Sequence, residues 1–383
     1  MISKNNFRNT GLIIFSLFPI LSFYSFIPLL HFGYLIILIY CIIYLFCNKF
    51  RINTPLAITI TILLFINILN GITYGFNQGV ANNTIGMLVF LVISLGVSSL
   101  KFDIEKVFIY IKIIGLIVSV LLILQFVLFY FYDYALVLKL PFLTLRYPEY
   151  ALNWSIYSGR PNSLFMEPAH FALFILPIFY LSLKRNTKLT SLILFVSLFL
   201  STSTLGIVVA IFIIISHYIY NFKFNRNFMF GFVSIIIGIL IALNLNIIQD
   251  YVVDKLTIEY FANSMRIFRP ITYFKEIDNV SLVFGIGLNQ MEEYFLTNFN
   301  IITHNYSNTY FFTIFSFGII GLLVWLFFMY SLYKNINKKY IGLFIVFLVI
   351  QFTDQLLFNT FLIYYIALIV FSSNKNTIQY SSV

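Results

Sequence analysis

The sequence predicts an all-α fold: a polytopic transmembrane helical bundle of about twelve helices, with two long outer loops. Three observations predict it. Of 383 residues, 61% are hydrophobic and only 9% charged, and mean hydropathy is +0.96, whereas a soluble domain carries about 25% charged residues. Apolar runs recur along the chain, and hydrocarbon satisfies no backbone polar group, so each run must close its hydrogen bonds as a helix. Lys and Arg gather in alternate connections, as cytoplasmic loops do.

Taken in order, the predicted helices are 11–30, 32–47, 56–74, 84–100, 107–131, 168–183, 188–202, 204–221, 227–246, 307–332, 340–353 and 356–372. The first follows Lys4 and Arg8, lacks a small-residue cleavage site, and reads as an uncleaved span. A tight turn at Pro28–His31 joins it to the second. With both termini in the cytoplasm, the short inside loops carry Lys49 and Arg51, then Lys101 and Lys106, then Lys184, Arg185 and Lys188, then Lys223 and Arg226, then Lys334, Lys338 and Lys339. The outside Lys139, Arg146, Arg160, Lys255, Arg266, Arg269 and Lys275 are confined to two long loops, 132–167 and 247–306, and only Lys112 falls inside a span. Among acidic residues, only Asp103 and Glu105 fall inside. The whole of 1–383 reads as a single integral membrane domain. Its net charge of +10 follows from the loop asymmetry and requires no nucleic acid. The 47 Phe and 27 Tyr suit lipid-facing surfaces and interfacial belts.

Several chemistries are excluded. No GxxxxGK[ST] is present, and the inside loops are too short for a nucleotide-binding domain. Cys41 and Cys47 share one apolar run without metal-ligand spacing and read as inert thiols. The outer loops hold no metal-ligand cluster, so neither metal nor cofactor is predicted. The two halves show no repeat of the kind that marks secondary transporters.

The first long loop ends in Tyr157-Ser-Gly-Arg-Pro-Asn-Ser-Leu-Phe-Met-Glu-Pro-Ala-His170. Pro168 suits a first helical turn, and Glu167 then sits where the helix dipole favours negative charge. This is a helix-start signal, and it also has a functional reading. The planar Arg160 guanidinium matches phosphate oxygens, and Glu167 suits a general base or a partner for a sugar hydroxyl. His170 lies one turn on, as a structural or proton-sharing neighbour.

The second loop holds Ser264-Met-Arg-Ile-Phe-Arg-Pro-Ile-Thr-Tyr273. If it is helical, Arg266, Arg269 and Tyr273 share a face, although Pro270 can break such a helix. Two arginines at a membrane face suit a lipid-linked diphosphate, or else they are solvated. Phe284-Gly-Ile-Gly-Leu-Asn289 reads as a tight turn. His304 and Asn305 precede a helix, where they can cap it or bind a hydroxyl, with His304 as acid or base.

Together these residues resemble the bacterial O-antigen polymerase (Wzy) family, within the wider polymerase and ligase group. The resemblance rests on Arg160 followed by Ser-Leu-Phe-Met-Glu-Pro before a helix, on Ser-Met-Arg266 with Gly-Ile-Gly287 in an outer loop, and on His304-Asn-Tyr306 before a helix carrying Phe317-Gly-Ile-Ile-Gly321. It covers about residues 160–325. One departure is the turn Ser201-Thr-Ser-Thr-Leu-Gly206, which lacks the arginine that members often carry there and so argues against the ligase.

The resemblance implies an inner-membrane glycosyltransferase. It would transfer a growing glycan from undecaprenyl diphosphate to the non-reducing end of another lipid-linked repeat unit, for O-antigen or capsule. It implies an undecaprenyl-diphosphate-linked oligosaccharide and membrane lipid as partners, alongside a chain-length regulator and a flippase. Arg160, Arg266 and Arg269 would hold the diphosphate, with Asn305, Tyr273 and His170 lining the site, and Glu167 or His304 would deprotonate the acceptor. The alternatives are an O-antigen ligase acting on lipid A core, a lipid-linked oligosaccharide flippase or other transporter, and a non-catalytic scaffold.

Overall fold

The computed structural model describes residues 4–27, 30–47, 53–75, 78–145, 157–220, 257, 266 and 268–373. The predicted span at 227–246 lies outside them, as do Arg146, Trp154 and Lys255. The described chain is mostly helical: α1 Lys4–Leu21, α2 Phe32–Cys47, α3 Thr54–Tyr74, α4 Gln78–Ser99, α5 Ile104–Tyr132, α6 Pro168–Lys184, α7 Lys188–Leu200, α8 Thr204–Tyr220, α9 Arg269–Tyr273, α10 Asn279–Phe284, α11 Met291–Phe299, α12 Thr309–Asn335, α13 Ile341–Thr353 and α14 Thr360–Phe371. Four of these, α3, α4, α5 and α12, are long and apolar enough to cross a membrane. Apolar helices such as α2, α6, α7, α8 and α14 are shorter than the roughly 20 residues of a typical span. Among the described residues, length and composition therefore give four helices able to cross a membrane, fewer than the predicted twelve.

The exposed surface of the long helices explains why they need hydrocarbon. On α3, Phe65 and Ile72 are 60% and 71% exposed, and on α4 Ile85 and Val92 lie open in the same way. Each pair is seven residues apart and so shares a helix face, giving apolar stripes that water would not tolerate. In contrast, almost every side chain of α14 is buried, and most of α6 is too. A helix apolar all round is one packed inside the protein, either in a core or at the centre of a membrane bundle.

The fold is not wholly helical. The first helix, predicted to reach residue 30, ends at Leu21. Tyr24–Ile27 (β1) and Leu30–His31 (β2) pair antiparallel, and β1 pairs on its other edge with Thr144–Leu145 (β3), giving the order β2-β1-β3. Tyr24, Phe26 and Ile27 favour a strand, and a proline at 28 has no N–H to continue a helix. The predicted tight turn at Pro28–His31 thus includes a second strand.

The chain divides into two compact units: Met1–Pro19, Gly33–Val107 and Asn263–Val383 form the first, Ile20–Phe32 and Phe108–Ala262 the second. In the first, α12 breaks at Gly318, whose φ of 69° and ψ of −171° leave the helix. The broken turn is paired rather than left open. Ile286 N–H donates to the Phe315 carbonyl at 2.8 Å and Gly287 N–H to the Ser316 carbonyl at 3.1 Å. Asn70 of α3 bridges the two strands of this clasp, donating from Nδ2 to the Phe284 carbonyl at 3.0 Å and the Ser316 carbonyl at 3.3 Å. Asn67 accepts Leu288 N–H at 2.9 Å and donates to Thr84 Oγ1. Non-helical backbone is tolerated at membrane depth only when satisfied in this way. Further along, the buried Trp325 of α12 donates from Nε1 to Gln351 Oε1 of α13 at 2.9 Å.

Asp278 caps α10, accepting Val280 and Ser281 N–H at 2.9 Å each, and its other oxygen accepts the Tyr294 hydroxyl at 2.9 Å. Burial alone would raise its pKa, but the hydrogen bonds from Ser281, Tyr294 and Val280 outweigh that and hold it below the ordinary value. The lowered folded-state pKa means that the stabilisation is full above about pH 4 and is lost as pH falls through the folded value. Asp278→Ala is therefore expected to cost about 1 kcal/mol at neutral pH. Melting curves of the purified protein should show the gap to wild type narrowing below about pH 4.

In the second unit, α6 packs against α7 and α8, and Phe165 is buried in ring contact with Phe171 and Phe174 of α6. Gln125 of α5, also buried, accepts Ser163 N–H at 2.7 Å and donates to the Leu136 carbonyl at 3.0 Å. One amide inside the helix thus anchors both described ends of the first long loop.

Candidate functional site

The predicted site residues fall in both units. In the second unit, Gly159 adopts φ 73°, and its carbonyl accepts the Tyr130 hydroxyl at 2.7 Å. A Cβ there would sit 2.3 Å from Tyr130 Oη, so this approach requires glycine. The next residue, Arg160, is half-buried and its Nε donates to Thr202 Oγ1 at 3.4 Å. Thr202 belongs to the buried Ser201–Thr202–Ser203 turn between α7 and α8. Its φ of 54° is a left-handed conformation rare for a β-branched residue and costs on the order of 1–3 kcal/mol. The turn that lacks an arginine of its own therefore receives Arg160 from the segment before α6.

Glu167 is the N-cap of α6 with Pro168 behind it, as predicted, and its exposed side chain makes no capping bond. His170, in the first helical turn, packs its ring 4.8 Å from that of Phe23.

The second loop is built differently from the prediction. Helix α9 starts at Arg269 with Pro270 in its first turn, so Arg266 lies before the helix. Arg266, Arg269 and Tyr273 do not share a helical face, because Pro270 opens the helix there. Arg269 is exposed. Tyr273 is buried against Phe295 at 4.9 Å in a cluster with Ile286, Met291 and Phe315.

Arg266 is instead fixed at the mouth of α12. Its carbonyl accepts Asn308 N–H at 3.2 Å and Asn308 Nδ2 at 2.9 Å. Asn308, not His304 or Asn305, is the helix cap, accepting Tyr310 and Phe311 N–H. The Arg266 guanidinium carbon lies 4.9 Å from the Tyr306 ring centroid, and Nη1 donates to the Thr353 carbonyl at 3.3 Å. His304 is exposed; its carbonyl accepts Tyr306 N–H at 2.7 Å. Asn305 Oδ1 accepts Glu292 N–H at 3.0 Å, which ties this side chain to α11.

The structure thus brings Arg266 onto Tyr306, two residues from His304, and separately brings Arg160 onto Thr202. Sequence reasoning missed Thr202, Tyr306 and Asp354. Asp354, in the turn after α13, accepts the Tyr306 hydroxyl on Oδ1 at 2.7 Å. Its position between two apolar runs was the available signal.

In each unit considered alone, an arginine donates to the junction of a pair of short helices: Arg160 to the turn between α7 and α8, and Arg266 to the end of α13 before α14. Half-buried guanidinium groups with polar neighbours suit phosphate oxygens. No protein-family model matches the chain, and no curated protein matches it.

Proposed function

We propose that this protein polymerises lipid-linked oligosaccharide repeat units at the outer face of a bacterial inner membrane. The chain would cross about twelve times with both termini in the cytoplasm. The growing glycan would pass from undecaprenyl diphosphate to the non-reducing end of a new unit, for O-antigen or capsule. The bond from the sugar anomeric carbon to phosphate oxygen breaks, and one to the acceptor hydroxyl oxygen forms. The hydroxyl proton goes to Glu167 or His304, and undecaprenyl diphosphate leaves with its charge held by arginine.

The observation that carries this reading is Arg266, held over Tyr306 at the mouth of α12, with the exposed His304 two residues before that tyrosine in the chain. A fixed cation for the leaving diphosphate and an exposed imidazole for the acceptor proton suit this transfer. Arg160 on the Ser201–Ser203 turn supports it as a second cation placed on a polar turn.

A flippase or other transporter is the second reading, favoured by the break in α12, since discontinuous helices mark transport sites. Against it, Asn67, Gln125 and Gln351 are each engaged through both ends of their amides by neighbouring groups, so they line no polar pathway.

Deleting the gene and resolving surface lipopolysaccharide or capsule on a gel separates the readings. Polymerase loss is expected to leave one repeat unit on the core. Absence of any repeat unit would indicate the ligase, and lipid-linked units retained on the cytoplasmic side would indicate the flippase. An unchanged ladder would overturn all three.

A further inference from the structure

Asp354 is 6% exposed, and the proposed chemistry does not use it. Burying a carboxylate costs several kcal/mol unless its surroundings compensate. Merely closing a turn would be served by a neutral residue. Its Oδ1 accepts the Tyr306 hydroxyl at 2.7 Å and Gln355 N–H at 2.8 Å. Its carbonyl accepts Thr309 N–H at 3.1 Å and the Thr309 hydroxyl at 2.8 Å, which locks this turn to the first residue of α12. Over the ring of the same tyrosine lies Arg266, whose Nη1 donates to the carbonyl of Thr353, the neighbour of Asp354.

Helix α13 has 13 residues and α14 has 12, about 20 Å and 18 Å long. Both return to one end, where Asn337 N–H donates to the Ser372 carbonyl at 3.3 Å. Hydrocarbon is about 30 Å thick. Each helix is thus about two-thirds of that thickness in length. Asp354 is buried, so solvent screening around it is weak and the orientation of a nearby cation matters more.

We propose that Asp354 is a positioning residue for Arg266. By accepting the Tyr306 hydroxyl, it orients the ring on which the guanidinium lies and draws electron density toward the ring face, which strengthens the attraction for the cation. The guanidinium is thereby preset for a diphosphate oxygen. This rests on the polymerase reading in so far as Arg266 meets a diphosphate.

The test uses the full chain in lipid nanodiscs with an undecaprenyl-diphosphate-linked repeat unit. Asp354→Ala and Tyr306→Phe are each expected to raise the donor KM about tenfold, with kcat within about threefold. Asp354→Asn keeps an oxygen facing Tyr306 and is expected to recover the wild-type KM within about threefold. The double variant Asp354→Ala with Tyr306→Phe should be no worse than the worse single variant, because both break one chain. Phenylglyoxal labelling of Arg266 without substrate, read by mass spectrometry, should be several-fold faster in both single variants. Additive effects in the double variant, unchanged labelling, or an Asp354→Asn variant as damaged as Asp354→Ala would overturn the proposal. Should wild type turn over no lipid-linked glycan, the polymerase reading fails, while labelling still decides the role of Asp354. Should Asp354→Ala fail to fold, Tyr306→Phe carries the test.

Discussion

Replacing Gly318 by alanine is expected to cost about 3–5 kcal/mol, from strain and steric overlap together. Gly318 sits in α12 at φ 69°, a conformation that L side chains rarely adopt, and its Cβ would lie 2.1 Å from the Val283 carbonyl oxygen. The neighbour is backbone, so no side-chain rotation relieves the overlap. Across the clasp, Gly285 has φ 83° and a Cβ there would lie 2.4 Å from Phe317 N. The two glycines let two backbones touch, and the four hydrogen bonds from Asn70, Ile286 and Gly287 depend on that contact. Opening it would strand the Phe315 and Ser316 carbonyls inside the protein, where each unpaired group costs on the order of 1–3 kcal/mol. A loss of this size is a large share of total stability. The melting midpoint of purified Gly318→Ala should drop by more than about 5 °C. Gly86→Ala is the control: its Cβ meets nothing within 4 Å, so its midpoint should hold. A Gly318→Ala protein that melts with wild type would show that the clasp contributes nothing.

The same clasp shows what the sequence conceals. Apolar runs place helices well, because the bilayer forces each run to satisfy its own backbone. The runs at 56–74 and 107–131 appear as α3 and α5, extended by a few residues. The Arg160-to-His170 motif also reads correctly as a helix start, since Pro168 and an N-cap are local signals. The Gly-Ile-Gly segment reads as a tight turn because nothing local announces its partner, some thirty residues later in α12. Strand β1 is hidden for the same reason, its register being set by Thr144–Leu145 far along the chain. The shared face of Arg266, Arg269 and Tyr273 fails at Pro270, which starts a helix instead of interrupting one. Asp354 resembles any rim carboxylate until Tyr306, 48 residues earlier, is seen to reach it.

If the polymerase reading holds, Arg266→Ala and Arg160→Ala are the substitutions with the largest expected effect on activity. Each should lower kcat/KM for polymerisation on the order of 10²–10³-fold, the size of removing one fixed donor from developing negative charge. The loss should be shared between KM and kcat, because the donor diphosphate is already anionic when bound and gains further charge as it leaves. Arg266→Lys should recover only part of the activity. A lysine is a point charge and cannot both lie flat on the Tyr306 ring and present a planar fork of donors. Arg160 rests on the Thr202 hydroxyl, in a turn held in a strained conformation, so Thr202→Val should give a smaller loss, up to about tenfold. Lys275, exposed in the same outer loop as Arg266, serves as control. Its alanine variant should stay within about threefold, because a solvated charge contributes little. The checks are the glycan ladder in complemented cells, with protein level measured alongside, and turnover in nanodiscs. A full ladder from Arg266→Ala at wild-type protein level would remove Arg266 from the chemistry, and with it the main support for a diphosphate substrate.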